Sequence, residues 1–105
     1  MKLYYKEFCL GNLTYSDGKY FYSSSSEEKL ALERYSALIE YNLEGSKNVE
    51  SNTLFPFFKN KFIDEIIVRK DILEKIGTKS ANDFEILEKF CKLNFDKFGY
   101  YLKSE

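Results

Sequence analysis

The side chains that most often do chemistry are sparse in this 105-residue sequence, and histidine is absent. Without an imidazole the chain lacks the commonest general base and the commonest metal ligand. A Ser-His-Asp or Cys-His arrangement cannot be assembled within it. The two cysteines, Cys9 and Cys91, stand far apart and form no Cys-x-x-Cys pair. They are expected as reduced thiols packed like small hydrophobes, neither binding zinc nor bridging the fold. Gly11, Gly18, Gly45, Gly77 and Gly99 are too scattered to cradle a nucleotide, because a phosphate loop needs several backbone N–H groups converging from one short stretch.

Carboxylate pairs occur at Glu27-Glu28 and Asp64-Glu65. Neighbours on a helix point about 100° apart, so neither pair shares a proton or a metal without further partners. Solvated surface is the expected reading of the first pair. The second lies beside Phe62 and Ile63, where helix-surface charge and contact with a protein partner weigh about equally. The residues thus predict a non-catalytic chain with no catalytic side chains, no cofactor and no metal.

Recognition is the other kind of chemistry the sequence offers. Ten Phe and nine Tyr bring large apolar area in small volume. Most are expected in the core, and some Tyr at the surface, where an amphipathic ring can grip a partner. Lys89, Phe90, Lys92, Phe95, Lys97, Phe98, Tyr100, Tyr101 and Lys103 interleave cations and rings as a single-strand binding surface does. Glu88, Asp96 and Glu105 interrupt that run, and helical spacing accounts for several of its Phe, so a core helix is the better reading. Sixteen basic against seventeen acidic residues give a net charge of −1, which exerts no long-range pull on a polyanion. No direct nucleic-acid ligand is expected. No apolar run is long enough for a signal peptide or a membrane span, which predicts a cytoplasmic protein with no membrane partner.

The elements that must position these residues divide by period. A length of 105 residues suits a single domain, residues 1–105, with one core. Lys2 to Tyr5, Phe8 to Tyr15 and Tyr20 to Ser23 read as a β-meander, and Asp17-Gly18 within Ser16 to Lys19 favours a hairpin turn. The first turn, near Lys6-Glu7, has no Gly or Asn. Ser25 and Glu28 match a capping box before a short helix. Alternation through Tyr35, Ala37, Ile39, Tyr41 and Leu43 predicts a strand over 34–43, and Glu44 to Asn52 reads as an exposed loop.

From Thr53 the period becomes helical. Thr53 is placed to cap a helix with Pro56 in its first turn and Phe55, Phe58 and Phe62 on one face. A second helix runs through Ile63, Ile66, Ile67, Leu73 and Ile76 to Gly77. A third, capped near Ser80 or Asn82, presents Phe84, Leu87, Phe90 and Cys91. Gly99 to Leu102 returns as a final strand. Strands first and helices later predict an α+β domain: a small antiparallel β-sheet, a meander plus returning strands, with about three helices packed on one side.

The order of these motifs resembles the N-terminal subdomain 1 of HipA-type toxin kinases over nearly the whole chain. The resemblance rests on Leu10-Gly11-Asn12-Leu13 for a Gly-x-Leu strand, Asp17-Gly18 for the turn, and Tyr20-Phe21-Tyr22 for a Phe-x-Tyr strand. Phe57-Phe58 matches a Phe-Phe pair that opens a helix, Arg69 an Arg-containing helix, and Asn82-Asp83-Phe84-Glu85-Ile86-Leu87 an Asp-Asp-Phe-x-Leu-Leu helix. Gly99-Tyr100 stands in place of a closing Gly-Ala. Lys61 to Glu65 lacks the Pro and Gly of the family's connection, so Phe62 to Ile66 can simply continue a helix.

In that family nucleotide binding and phosphoryl transfer reside in a later part of the chain. A three-gene HipBST-type toxin–antitoxin system resembles the arrangement implied here, with a short HipS-like antitoxin beside a truncated HipA/HipT-type Ser/Thr kinase and a HipB-like helix-turn-helix DNA-binding protein. The resemblance implies an antitoxin or regulatory subunit that binds and inhibits such a kinase, in a complex that can include the DNA-binding protein. Its partner-binding candidates are Phe58, Phe62, Ile63, Asp64, Glu65 and Ile66. The alternative is a structural subunit that completes a split kinase without inhibiting it, and a small enzyme is disfavoured by the missing histidines.

Overall fold

Apolar side chains on every second residue build the first three strands. In the computed structural model, which describes residues 1–35, 41–64, 74, 82–92 and 99–104, β1 spans Lys2–Tyr5, β2 Phe8–Ser16 and β3 Lys19–Ser24. Each lies within a residue of its expected bounds. Asp17 and Gly18 take φ of 52° and 76°, two successive left-handed residues whose twist matches that of the flanking strands. Lys6 makes the first turn at φ 51° without a glycine.

Two further strands complete an antiparallel sheet in the order β4-β3-β2-β1-β5. β5, Tyr100–Lys103, pairs with β1, as the returning segment predicts. β4, Val49–Ser51, lies inside the stretch expected as loop. Three residues at an edge are too few for alternation to register in sequence. β2 carries a bulge: Leu3 pairs with Gly11 but Tyr4 with Cys9, so Leu10 is extra, and both Cys9 and Leu10 are buried.

Among the described residues three helices stand against this sheet, giving the expected α+β fold. α1 spans Glu28–Arg34; α2, Pro56–Phe58, runs on into a π-helical turn, Lys59–Ile63; α3 spans Asp83–Cys91. Asn82 caps α3 as expected, its Oδ1 accepting from the Glu85 N–H at 2.9 Å. The capping box at α1 does not form. Ser25 Oγ accepts from the Glu27 N–H at 3.2 Å and donates to the Cys9 carbonyl, while Glu28 turns inward. Nor does Thr53 cap α2, whose N-cap is Phe55 with Pro56 first in the helix. The expected strand over 34–43 is not found in its described part, because Arg34 closes α1 and residues 41–43 pair with no strand. Residues 36–40, most of the second helix, Arg69 and Ser80 lie outside the described residues.

The core fills the space between helices and the inner face of the sheet. Tyr22 on β3 meets Phe58 edge-on at 5.7 Å, Phe57 meets Tyr100 on β5 at 5.1 Å, and Phe62 meets Phe90 of α3 at 6.0 Å. Tyr15 stacks on Phe84 at 5.7 Å, and Tyr5 meets Tyr35 just past α1 at 5.2 Å. Each buried ring of this size contributes roughly 1.5–3 kcal/mol. Gly11 is fixed by this packing, since a Cβ there would lie 2.3 Å from Tyr22 Oη and 2.5 Å from the Ser23 carbonyl. Among the described residues no helix is long and apolar enough to cross a membrane.

Candidate interaction surface

Three of the four described residues expected to contact a partner turn inward. Phe58 and Phe62 are wholly buried and Ile63 is 2% exposed, so these three cannot form a docking face in the folded chain. The π-helical turn is the reason. Its wider winding, marked by the Asp64 N–H bonding to the Lys59 carbonyl, brings positions four and five beyond Phe58 round to the same side. Asp64 is exposed. Glu65 and Ile66 lie outside the described residues.

The first carboxylate pair is also not the solvated surface that adjacency suggested. Glu27 caps α1 at the surface side, but Glu28 is 6% exposed. Its Oε2 accepts from Ser24 Oγ at 2.6 Å and from Tyr41 Oη, and its Oε1 from the Gly45 N–H at 2.9 Å. Tyr41 and Tyr22 share a hydroxyl contact at 2.9 Å. Burial first, then the neighbouring phenol and carboxylate, pushes the Tyr41 hydroxyl well above its ordinary range; burial does the same to Tyr22. Its two phenols keep their protons, and the network ties residues 41–46 to the sheet.

Both cysteines are buried and unbridged. Burial pushes the Cys91 thiol up to about 11, away from the thiolate that nucleophilic chemistry requires. A surface depression of about 360 Å³ is lined by Asn42, Phe57, Asn60 and Lys61. Beside it the Tyr100 hydroxyl is buried without a hydrogen-bond partner and is pushed up to about 12, chiefly by burial.

The outer face of the sheet is built differently. Alternation places Lys2, Tyr4, Asn12, Thr14, Phe21, Tyr101 and Lys103 there, all exposed or half-buried. Tyr4 and Tyr101, opposite each other on β1 and β5, stack at 5.3 Å and 9°. Lys103 Nζ sits 4.9 Å from the Tyr4 ring centre and 5.6 Å from that of Tyr101. Tyr101 Oη donates to the Lys6 carbonyl at 2.6 Å, which holds the stack upright. Lys2 stands directly opposite Lys103, a like-charge pair that costs a sheet stability.

Two of the other surface cations pair with acids. Arg34 pairs with Glu7 at 3.5 Å and Lys19 with Glu50 at 3.9 Å. Glu7 also accepts from Tyr35 Oη at 2.8 Å; its own backbone N–H first, then Tyr35, hold its carboxyl below the usual range. The sequence contained half of the outer-face signal, in Tyr101 and Lys103 of the interleaved run. The other half, the register that sets Tyr4 and Lys2 beside them, is not written in local pattern. No family model, no curated protein and no solved structure matches the chain.

Proposed function

We propose that this chain is a non-catalytic, cytoplasmic antitoxin subunit that binds a HipA-type Ser/Thr toxin kinase and inhibits it. The supporting observation is where the motifs behind that resemblance meet. Gly11 of the Gly-x-Leu strand lies against Tyr22 of the aromatic strand, Tyr22 against Phe58 of the Phe-Phe pair, and Phe57 against Tyr100 of the closing strand. Phe84 of the last motif completes the set on Tyr15. Gly99, φ 94°, adds to this, because a Cβ there would lie 2.9 Å from the Tyr5 ring.

A subunit built this way acts through its surface, since among the described residues its phenols, carboxylates and thiols are either packed in the core or at the surface. Binding blocks the kinase sterically or holds it in an inactive arrangement, alone or together with a helix-turn-helix DNA-binding protein. The test is co-expression and co-purification with the HipA-type kinase encoded beside this chain. A stable complex, a fall in phosphoryl transfer and restored growth are expected. No complex and no rescue sink the proposal, and unchanged or raised kinase activity within a stable complex marks a structural subunit instead.

A further inference from the structure

We infer that the outer face of the sheet docks an acidic, extended segment of the partner protein, its carboxylates set against Lys2 and Lys103 and its apolar side chains against the Tyr4–Tyr101 stack. That the partner is the kinase rests on the function proposed above; the face and its chemistry do not.

Charge carries the argument. Lys2 and Lys103 face each other across β1 and β5, and among the described residues neither has a hydrogen bond or an ion pair to an acid. A sheet gains nothing by placing two cations directly opposite. On the same face Glu50 is already engaged by Lys19, whereas the comparable cluster at the end of α1 encloses its own Glu7. Carboxylates from outside would relieve the repulsion that the fold leaves in place.

Shape and order agree with charge. Tyr4 and Tyr101 are half-buried, stacked nearly parallel, and braced by the Tyr101 bond to the Lys6 carbonyl. Such rings present amphipathic area at little further entropic cost, which is what a contact residue needs. Phe21, half-buried opposite Thr14, extends the apolar area toward β3. The described helices make their ring contacts with the inner face, so this face has no helix of that set upon it. Nucleic acid fits less well. The stack already occupies one face of each ring, which leaves less for base stacking than a single-strand platform offers, and the chain as a whole carries −1.

The experiment uses the full chain, as wild type and as Lys2→Glu/Lys103→Glu. The double variant keeps a like-charge pair across the two strands but loses the Lys103 contacts with the Tyr4 and Tyr101 rings, so a urea melt checks that it is folded under the conditions of the binding experiment. Affinity for the neighbouring kinase is measured by calorimetry at low and high salt. The double reversal should weaken binding about tenfold or more, by the worth of two exposed charge pairs each turned repulsive, and the loss should shrink as salt rises. A kinase that binds both proteins equally overturns the inference and leaves the antitoxin proposal standing. If the kinase does not bind wild type, the function proposal fails and the surface is judged by a synthetic Glu-Tyr-Glu-Phe-Glu-Tyr-Glu peptide. Amide shifts centred on Lys2, Tyr4, Tyr101 and Lys103 then uphold it, and no shifts, or shifts elsewhere, overturn it. Tighter binding of an oligothymidylate than of the peptide likewise overturns it, in favour of nucleic acid.

Discussion

The two faces of this sheet are made from the same strands and much the same residues, yet they use tyrosine in opposite ways. On the inner face Tyr5, Tyr22 and Tyr100 meet Tyr35, Phe58 and Phe57 edge-on, Tyr20 tilts against Tyr15, and all four tyrosines are buried. On the outer face Tyr4 and Tyr101 lie flat on each other beneath an ammonium group. Residue type alone does not separate the two, since Tyr4 and Tyr5 are neighbours. The pleat does, by sending one ring into the core and the next to solvent. Inside, a ring gains by excluding water from every side; outside, it gains by keeping one side for something else.

Substitutions can break this contrast, and the inner face should give the larger effects. Phe58→Ala removes a wholly buried ring touched by Tyr22, Phe57 and Phe62, and should cost about 3–5 kcal/mol in a urea melt. Glu28→Ala strands the Gly45 N–H and leaves the Tyr41 hydroxyl only its contact with Tyr22, and should cost about 2–3 kcal/mol, while Glu27→Ala next to it stays within about 0.5 kcal/mol of wild type. An equal loss at both positions would refute the buried role of Glu28. Gly11→Ala pushes a methyl into Tyr22 and the Ser23 carbonyl, an overpacking worth about 1–3 kcal/mol by the same melt.

Alkaline titration separates the faces without mutation. Folding raises the Tyr100 hydroxyl from 10.0 to about 12 and moves Tyr22 and Tyr41 upward as well. A phenol whose value is raised on folding stabilises the fold fully below pH 10, and that contribution is lost as pH climbs toward 12. Tyrosinate absorbance should therefore show a late rise, from Tyr22, Tyr41 and Tyr100, that coincides with the loss of circular dichroism. A single stage with folding intact would contradict the burial of the inner hydroxyls.

The smallest effect has the opposite sign. Lys2→Glu turns the pair with Lys103 from repulsive to attractive and should raise stability by a few tenths of a kcal/mol. The same change should weaken partner binding. Gain in the melt with loss in affinity would place the lysines on the outer face for recognition, at the expense of the fold.

Much of the fold was legible in sequence, and particular residues show why. Asp17-Gly18 and the flanking alternation are local signals, so β2, β3 and their turn were read to within a residue. Asn82 and the Phe84 to Cys91 spacing are local too, and α3 matches them. The misreadings share the opposite property. Glu28 meets Tyr41 and Gly45 across 13 and 17 residues of chain, and β4 exists only because β3 is there to pair with it. Phe58, Phe62 and Ile63 were placed on a contact surface by the resemblance, whereas the π-helical turn sends all three inward. The Tyr4–Tyr101 stack depends on the register of β1 with β5, a pairing that no stretch of sequence announces.

That register also sets the order of events as the protein forms. Lys2 meets Lys103, and Leu3 meets Leu102, across nearly the full described length, so this contact closes the longest loop in the sheet and carries the largest closure entropy. The meander of β1, β2 and β3 can assemble from neighbours while the side of β1 that will receive β5 stays bare. An unpaired edge flanked by Leu3 and Tyr5 is a template for another chain. Newly made molecules therefore pass through their most association-prone moment just before the last strand arrives, and refolding yield should fall as protein concentration rises even though the finished sheet covers that edge.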